Sequence, residues 1–408
     1  MQRIERKEYL DWLIRWKEQQ IIKVVSGVRR CGKSTLFEIF RDHLLESGVG
    51  GPQIIMINFE DVDYEHLTNY RALYDHIKTQ LVPDKMNYIF LDEIQHVDQF
   101  EKAVDSFFIK NNCDVYITGS NAYFMSGELA TRLSGRYVEL KMLPLSFKEF
   151  CSSMENQSDR LTDSAKFNLY IENSSFPYIA KFGHAGREAT EYLRDIYNSV
   201  LLKDVVARQK ISDVTSLENV TKFLLHNIGS RVSPAKIANT LKSSGKAVDQ
   251  KTVDKYIRGL TESLLLYEVY RYNIKDRQYL STQSKFYAVD VALRNTLVRG
   301  GASDIGHILE NIVYLELLRR GCKVYVGQFD ENEIDFVAID SDRIAYYQVA
   351  ATTLEEETLK RELESLRKIP DNHPKYLLTL DEIFRSANYD GISKVNALDW
   401  LLKKQPVD

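Results

Sequence analysis

No stretch of this sequence approaches the roughly 18 consecutive apolar residues that a bilayer-spanning helix requires, so no membrane segment is expected. Cysteine is scarce: Cys31, Cys113, Cys151 and Cys322 are widely scattered, form no C-x-x-C pair and have no histidine at zinc-site spacing. That excludes a disulfide framework or a zinc ribbon and fits reduced thiols. Residues 1–16 carry charges throughout and lack the apolar centre of a secretory signal, so the reading is a cytoplasmic protein. Internal repeats and low-complexity tracts are absent as well, leaving an ordinary globular chain of 408 residues. A strong charge of one sign is also lacking. The formal net charge is -4, so contact with nucleic acid would need a local basic patch.

What is present, first, is alternation. Residues 21–26, 53–59, 87–91, 114–118 and 137–140 are short β-rich runs separated by helical stretches. Alternation of this kind predicts an α/β fold with a parallel sheet covered by helices. From about residue 147 to 209 the pattern is helical, as a lid to that sheet would be. Residues 210–285 give short helices and then an alternating aromatic segment, 264–272, suited to a hairpin. Residues 286–408 form a smaller α/β unit: a long apolar helix over 306–320, strands at 324–328, 333–339 and 344–349, and a closing helix over 355–368. The expected domains are therefore 1–146, 147–209, 210–285 and 286–408.

Gly27-Val28-Arg29-Arg30-Cys31-Gly32-Lys33-Ser34-Thr35 follows an apolar strand and precedes a helix. The two glycines let the backbone curl so that successive N–H groups point at phosphate oxygens, and the helix adds its positive dipole end. Lys33 then reaches the β- and γ-phosphates of ATP, and the Ser34 hydroxyl holds Mg2+. Residues 88–93, Tyr-Ile-Phe-Leu-Asp-Glu, read as an apolar strand ending in two carboxylates. Asp92 is expected to hold the magnesium through water, and Glu93 to polarise the attacking water. Cys31, inside the loop, has two readings: a redox switch or a small space-filling residue.

The order of these two motifs, followed by Ile117-Thr118-Gly119-Ser120-Asn121 and Ala130-Thr131-Arg132-Leu133-Ser134-Gly135-Arg136, resembles prokaryotic AAA-type P-loop ATPases. More specifically, the chain resembles those with a carboxyl-terminal domain of unknown function related to restriction nucleases, over essentially its whole length. The resemblance implies that Ser120 or Asn121 senses the γ-phosphate. It also implies that Arg132 or Arg136 is an arginine finger; a finger acting in trans would make the protein a homo-oligomer. Both arginines could instead pair with acidic neighbours. Ser175-Phe176-Pro177 resembles the lid signature of the family, with serine in place of the usual glycine. Arg187 and Arg194 read either as lid sensors or as exposed helix arginines.

In the middle segment, Ser233-Pro234 starts a helix with Ile237 and Leu241 on one face, and Asp249 caps a second helix. That second helix turns Val253, Ile257 and Leu260 inward and Lys251, Lys255 and Arg258 outward. Two short helices and a ribbon are the parts of a winged helix-turn-helix. Residues 218–285 hold twelve basic against six acidic side chains, a local excess of +6, which suits DNA or RNA. A protein-protein connector is the other reading.

A restriction-nuclease core needs a helix glutamate, a strand aspartate and then Glu-x-Lys on the next strand. Glu310 and Asp335 match the first two, but Gln348-Val349-Ala350 stands where Glu-x-Lys belongs. With the metal-binding carboxylate and the lysine both missing, the site reads as degenerate. The functional expectation is an ATPase coupling nucleotide state to nucleic acid or a partner. The alternatives are a nucleotide-gated signalling or defence switch with little turnover, and an ATP-regulated metal-dependent nuclease.

Overall fold

The computed structural model describes residues 4–119, 133, 135–154, 161–180, 186–246, 248–298 and 304–404. Ser120, Asn121 and Arg132 lie outside the described residues. Two compact units make up the chain: Met1–Pro144 with Glu262–Leu264, and Leu145–Thr261 with Leu265–Asp408.

Five strands form the sheet of the first unit: β1 (Ile22–Ser26), β2 (Ile54–Asn58), β3 (Asn87–Asp92), β4 (Cys113–Gly119) and β5 (Tyr137–Lys141). Their order is β2-β3-β4-β1-β5, and every pairing is parallel. β1 and β3 are buried along their whole length, as strands covered on both faces must be. Val24, Ile57, Ile89, Leu91 and Ile117 pack with Phe107 of the helix Phe100–Phe108. Phe90 and Tyr116 stack at 4.8 Å and meet Phe37 and Phe40 of the helix Lys33–Glu46. Because the strands are parallel, the loop after β1 and the carboxylates ending β3 open on the same edge of the sheet.

The second unit holds an eight-stranded mixed sheet: β6 (Leu266–Asn273), β7 (Gln278–Ala288), β8 (Lys323–Phe329), β9 (Asn332–Asp340), β10 (Arg343–Ala350), β11 (Lys375–Thr379), β12 (Ser386–Tyr389) and β13 (Ile392–Asn396). Its order is β12-β13-β11-β10-β9-β8-β6-β7. The boundary drawn at 285/286 therefore falls inside a strand. The aromatic hairpin closes as expected, but β6 pairs in parallel with β8 and makes the ribbon part of the carboxyl-terminal sheet. Sequence periodicity shows a hairpin's alternation but not its neighbour across the next edge.

A register shift lies between Tyr325 and Gly327 of β8, which face Val337 and Ile334 of β9. β9 thus carries one extra residue, a bulge. Ile334 and Val337 both enter the core against Leu363 and Leu366 of the helix Glu356–Arg367. Asp335 and Phe336 sit between them, and Phe336 meets Tyr287 and Tyr314. Strict alternation fails at this point. Among the described residues, no helix is long and apolar enough to cross a membrane.

Candidate functional site

The loop after β1 is held by close packing. A Cβ on Gly27 would stand 2.4 Å from the Met142 carbonyl oxygen and 2.8 Å from Cys31 Sγ, so only glycine fits. Gly32, at φ 104°, is the left-handed N-cap of the helix Lys33–Glu46. Cys31 is fully buried, and burial pushes its thiol pKa up, which favours space-filling over a redox role. Val28 is buried, whereas Arg29 pairs with Glu60 at 3.0 Å and Arg30 and Ser34 are exposed beside the half-buried Thr35.

Lys33 is 4% exposed, and its ammonium donates to the Gly27 and Val28 carbonyls at 3.1 and 3.4 Å. It also stands 3.2 Å from Glu93 Oε1. Burial alone would lower its pKa, but Glu93, Cys31 and Asp92 together outweigh this and raise it. Asp92 is raised by burial and pulled back by hydrogen bonds from Ser34 and Thr118. The Thr118 hydroxyl donates to Asp92 Oδ1 and accepts the Glu93 N–H at 2.8 Å, so one side chain from β4 positions both carboxylates. Glu93 itself sits at φ 55°, a left-handed conformation costing about 1–2 kcal/mol for a non-glycine residue. Gln95 Nε2 donates to Glu93 Oε2 at 2.5 Å.

The oxygen donors suit a magnesium-nucleotide: Ser34 lies close enough to Asp92 to lower its pKa, at the mouth of a loop whose helix starts at Lys33. Glu60, Glu93 and His96 also place ligand atoms within 4.8 Å of one another, but Glu60 is already paired with Arg29.

Sequence reading overlooked Arg6. Its side chain is 3% exposed and donates to the Cys31 carbonyl at 3.1 Å and the Leu143 carbonyl at 2.7 Å. In a trans peptide the C=O and the following N–H point opposite ways, so fixing the Cys31 carbonyl aims the Gly32 N–H to the other side. Tyr9 braces the clamp: the Arg6 guanidinium lies 4.7 Å from its ring, and its hydroxyl accepts the Leu143 N–H. An arginine 21 residues before the loop carries no local signal. Of the two finger candidates, only Arg136 is described. Its guanidinium lies over Phe108 and 3.6 Å from Asp105, the acidic pairing that the sequence left open.

In the second unit, Ser174 takes the left-handed turn (φ 78°) before Phe176 and Pro177. Ser175 donates through both its N–H (2.7 Å) and its hydroxyl (2.5 Å) to Asp290, giving the serine a bond that glycine lacks. Arg187 pairs with Glu191 and, like Arg194, is exposed. Ser233 caps the helix Pro234–Ser243, and Lys251, Lys255 and Arg258 are all exposed on the helix Gln250–Glu262. The excess of +6 overstates this patch. Lys285 and Arg271 are buried, and Arg231 bonds Glu333 of the sheet.

Lys285 corrects the reading of the carboxyl-terminal site. Its ammonium stands 2.8 Å from Glu310 Oε1, 2.7 Å from Glu333 Oε1 and 3.5 Å from Asp335 Oδ1. A lysine is thus present; it comes from β7, while Ala350 is simply buried. Gln348 is no blank either: its Oε1 accepts the Asp335 N–H at 3.3 Å and its Nε2 donates to Glu362 at 2.9 Å. Burial and the neighbouring Glu310 push Asp335 up to about 7, against the pull of Lys285.

Comparison with known proteins covers most of the chain. Residues 19–151 match the model of an AAA domain, and residues 164–304 match a domain of unknown function (DUF8612). An uncharacterized protein of Haemophilus influenzae is 38% identical over 98% of this chain and 99% of its own length. One from Methanocaldococcus jannaschii is 31% identical over 76% of this chain and 68% of its own. Among solved structures, a Walker-type ATPase of Pyrococcus abyssi aligns with a TM-score of 0.51 at 14% identity, over 72% of this chain and 95% of that one.

Proposed function

The chain belongs to the AAA-type P-loop ATPases, and on that premise we propose that it binds ATP with Mg2+ at Gly27–Thr35 and hydrolyses it. The observation that carries the reading is the meeting of Lys33, Asp92 and Glu93 at one loop, with Lys33 3.2 Å from Glu93 and Thr118 bonded to both carboxylate residues. Lys33 exchanges Glu93 for the β- and γ-phosphates. Glu93, released from that pair and steadied by Gln95, accepts a proton from the attacking water. Ser34 and Asp92 would hold the magnesium ion, which would supply positive charge to the phosphate oxygens.

Lys33→Ala tests the site: nucleotide affinity falls at least about 100-fold if the ammonium binds phosphate. Unchanged affinity removes the assignment. Turnover per chain that rises with protein concentration supports a finger in trans from Arg132 or Arg136. Binding without turnover at any concentration identifies the switch reading instead.

The exposed row Lys251, Lys255 and Arg258 is the proposed contact for DNA or RNA, through which nucleotide state is coupled to a partner. Neutralising about three phosphates gives duplex affinity a log-log salt slope near -2.7, and reversing the three charges removes it. Retention on duplex DNA that ignores both salt and the triple reversal favours the connector reading.

A further inference from the structure

Lys285, on β7, is 4% exposed, and the carboxylates around it come from two other elements: Glu310 from the helix Ile305–Arg319, and Glu333 and Asp335 from β9. Protein donors also engage each carboxylate. The Tyr287 hydroxyl donates at 2.6 Å to Glu310 Oε1, the oxygen that faces the ammonium, while Arg231 bonds Glu333 Oε2 and the Val349 N–H donates to Asp335 Oδ2 at 2.9 Å. Gly229, at φ +71°, closes the wall; a Cβ there would come within 3.0 Å of Glu310 Oε2 and 2.7 Å of His307. These walls hold three carboxylates around one central cation.

The spacing is that of an ammonium and not of a metal. Among the described residues, the one trio of possible ligand atoms lying within 4.8 Å of each other is Glu60, Glu93 and His96. Glu310, Glu333 and Asp335 stand farther apart, at N–H···O distances from Lys285, whereas bonds to Mg2+ or Ca2+ need about 2.0–2.6 Å. A divalent ion among the same oxygens would also have to compete with the buried ammonium for Glu310 Oε1 and Glu333 Oε1.

We propose that Lys285 is the built-in cation of this site: its ammonium stands where a divalent ion would otherwise bind, keeps Glu310, Glu333 and Asp335 together, and excludes metal. The claim is independent of the nucleotide reading, and its corollary is that removing the ammonium opens a divalent-cation site.

The test uses the full chain without nucleotide, with Mn2+ as the probe, followed by electron paramagnetic resonance and thermal melting. Wild type and Asp335→Asn bind the same amount of Mn2+, because neither binds it here. Lys285→Met melts lower than wild type, binds one additional Mn2+ and recovers most of the lost melting temperature when it is added. Lys285→Met with Asp335→Asn loses that recovery. Any Mn2+ at Glu93 cancels in these differences. A folded Lys285→Met that binds no more Mn2+ than wild type overturns the proposal. Should Lys285→Met not fold, the comparison of wild type with Asp335→Asn still decides: less Mn2+ on Asp335→Asn, or Mn2+-supported DNA cleavage that this substitution abolishes, overturns it.

Discussion

Lys33 and Lys285 are both 4% exposed, and both face glutamates, yet they are held in opposite ways. Lys33 has one close carboxylate, Glu93, and two backbone carbonyls, all weak enough in combination to be exchanged for phosphate. Lys285 has three carboxylates, and its withdrawal would leave them facing each other, with Glu310 and Asp335 buried. Burial would lower the pKa of either ammonium, but its carboxylates raise it instead, and for Lys285 the rise is large. The lesson is that a buried lysine becomes a ligand contact or a fixed counter-ion according to how many charges it leaves behind.

The largest effect that would sharpen this contrast is at Gln348. Restoring the missing glutamate, Gln348→Glu, puts a carboxylate where the amide now donates to Glu362. Two like charges buried together should cost about 3 kcal/mol in denaturant titration, with no gain in Mn2+ binding. A more stable variant that takes up Mn2+ would break the comparison and return the site to a metal-dependent design.

Asp381 offers a one-to-one control. It is buried, and Lys394 donates to it at 2.8 Å along with the Thr352 and Thr353 hydroxyls. Burial would raise its carboxyl, but these bonds outweigh it and hold the pKa at about 2. Since the folded value lies below the unfolded one, the stabilisation is present above about pH 4 and disappears as pH falls through 2. Asp381→Asn should therefore lose about 2 kcal/mol at pH 7, and the difference from wild type should close on acidification. A gap independent of pH would mean that shape and not charge is at work there.

Arg6 bears on the Lys33 side. With the clamp on the Cys31 carbonyl gone, Arg6→Ala should weaken nucleotide binding about tenfold, while turnover at saturation changes little. Arg6→Lys, with a single ammonium to span two carbonyls, should fall between. A loss of turnover without loss of affinity would place Arg6 in the chemistry instead of the loop.

How far each site can be read from sequence follows the same division. The phosphate loop and Asp92-Glu93 are contiguous motifs whose chemistry depends on backbone curl and strand ends, so Gly27, Gly32, Lys33 and Asp92 are legible in a line of text. The five strands of the first sheet are legible because each is a short run rich in β-forming residues, and β1 and β3 are buried along their whole length. Lys285 is not, because its partners lie on a helix and a strand 25 or more residues away, and because its own strand reads as the wing of a separate module. Asp335 is legible as a residue but not as a geometry, since the bulge in β9 is written in pairing and not in composition. Arg6 and Thr118 act through hydrogen bonds to groups 25 or more residues away, which leave no pattern at all.

The central claim is that Glu93 serves hydrolysis at the Lys33 loop, and steady-state ATP turnover of Glu93→Gln at saturating ATP and Mg2+ tests it most directly. The amide keeps the shape and a contact to Lys33 but cannot take a proton from water, so the account predicts nucleotide affinity within a few-fold of wild type and turnover lower by about 100-fold or more. Full turnover in that variant would contradict it.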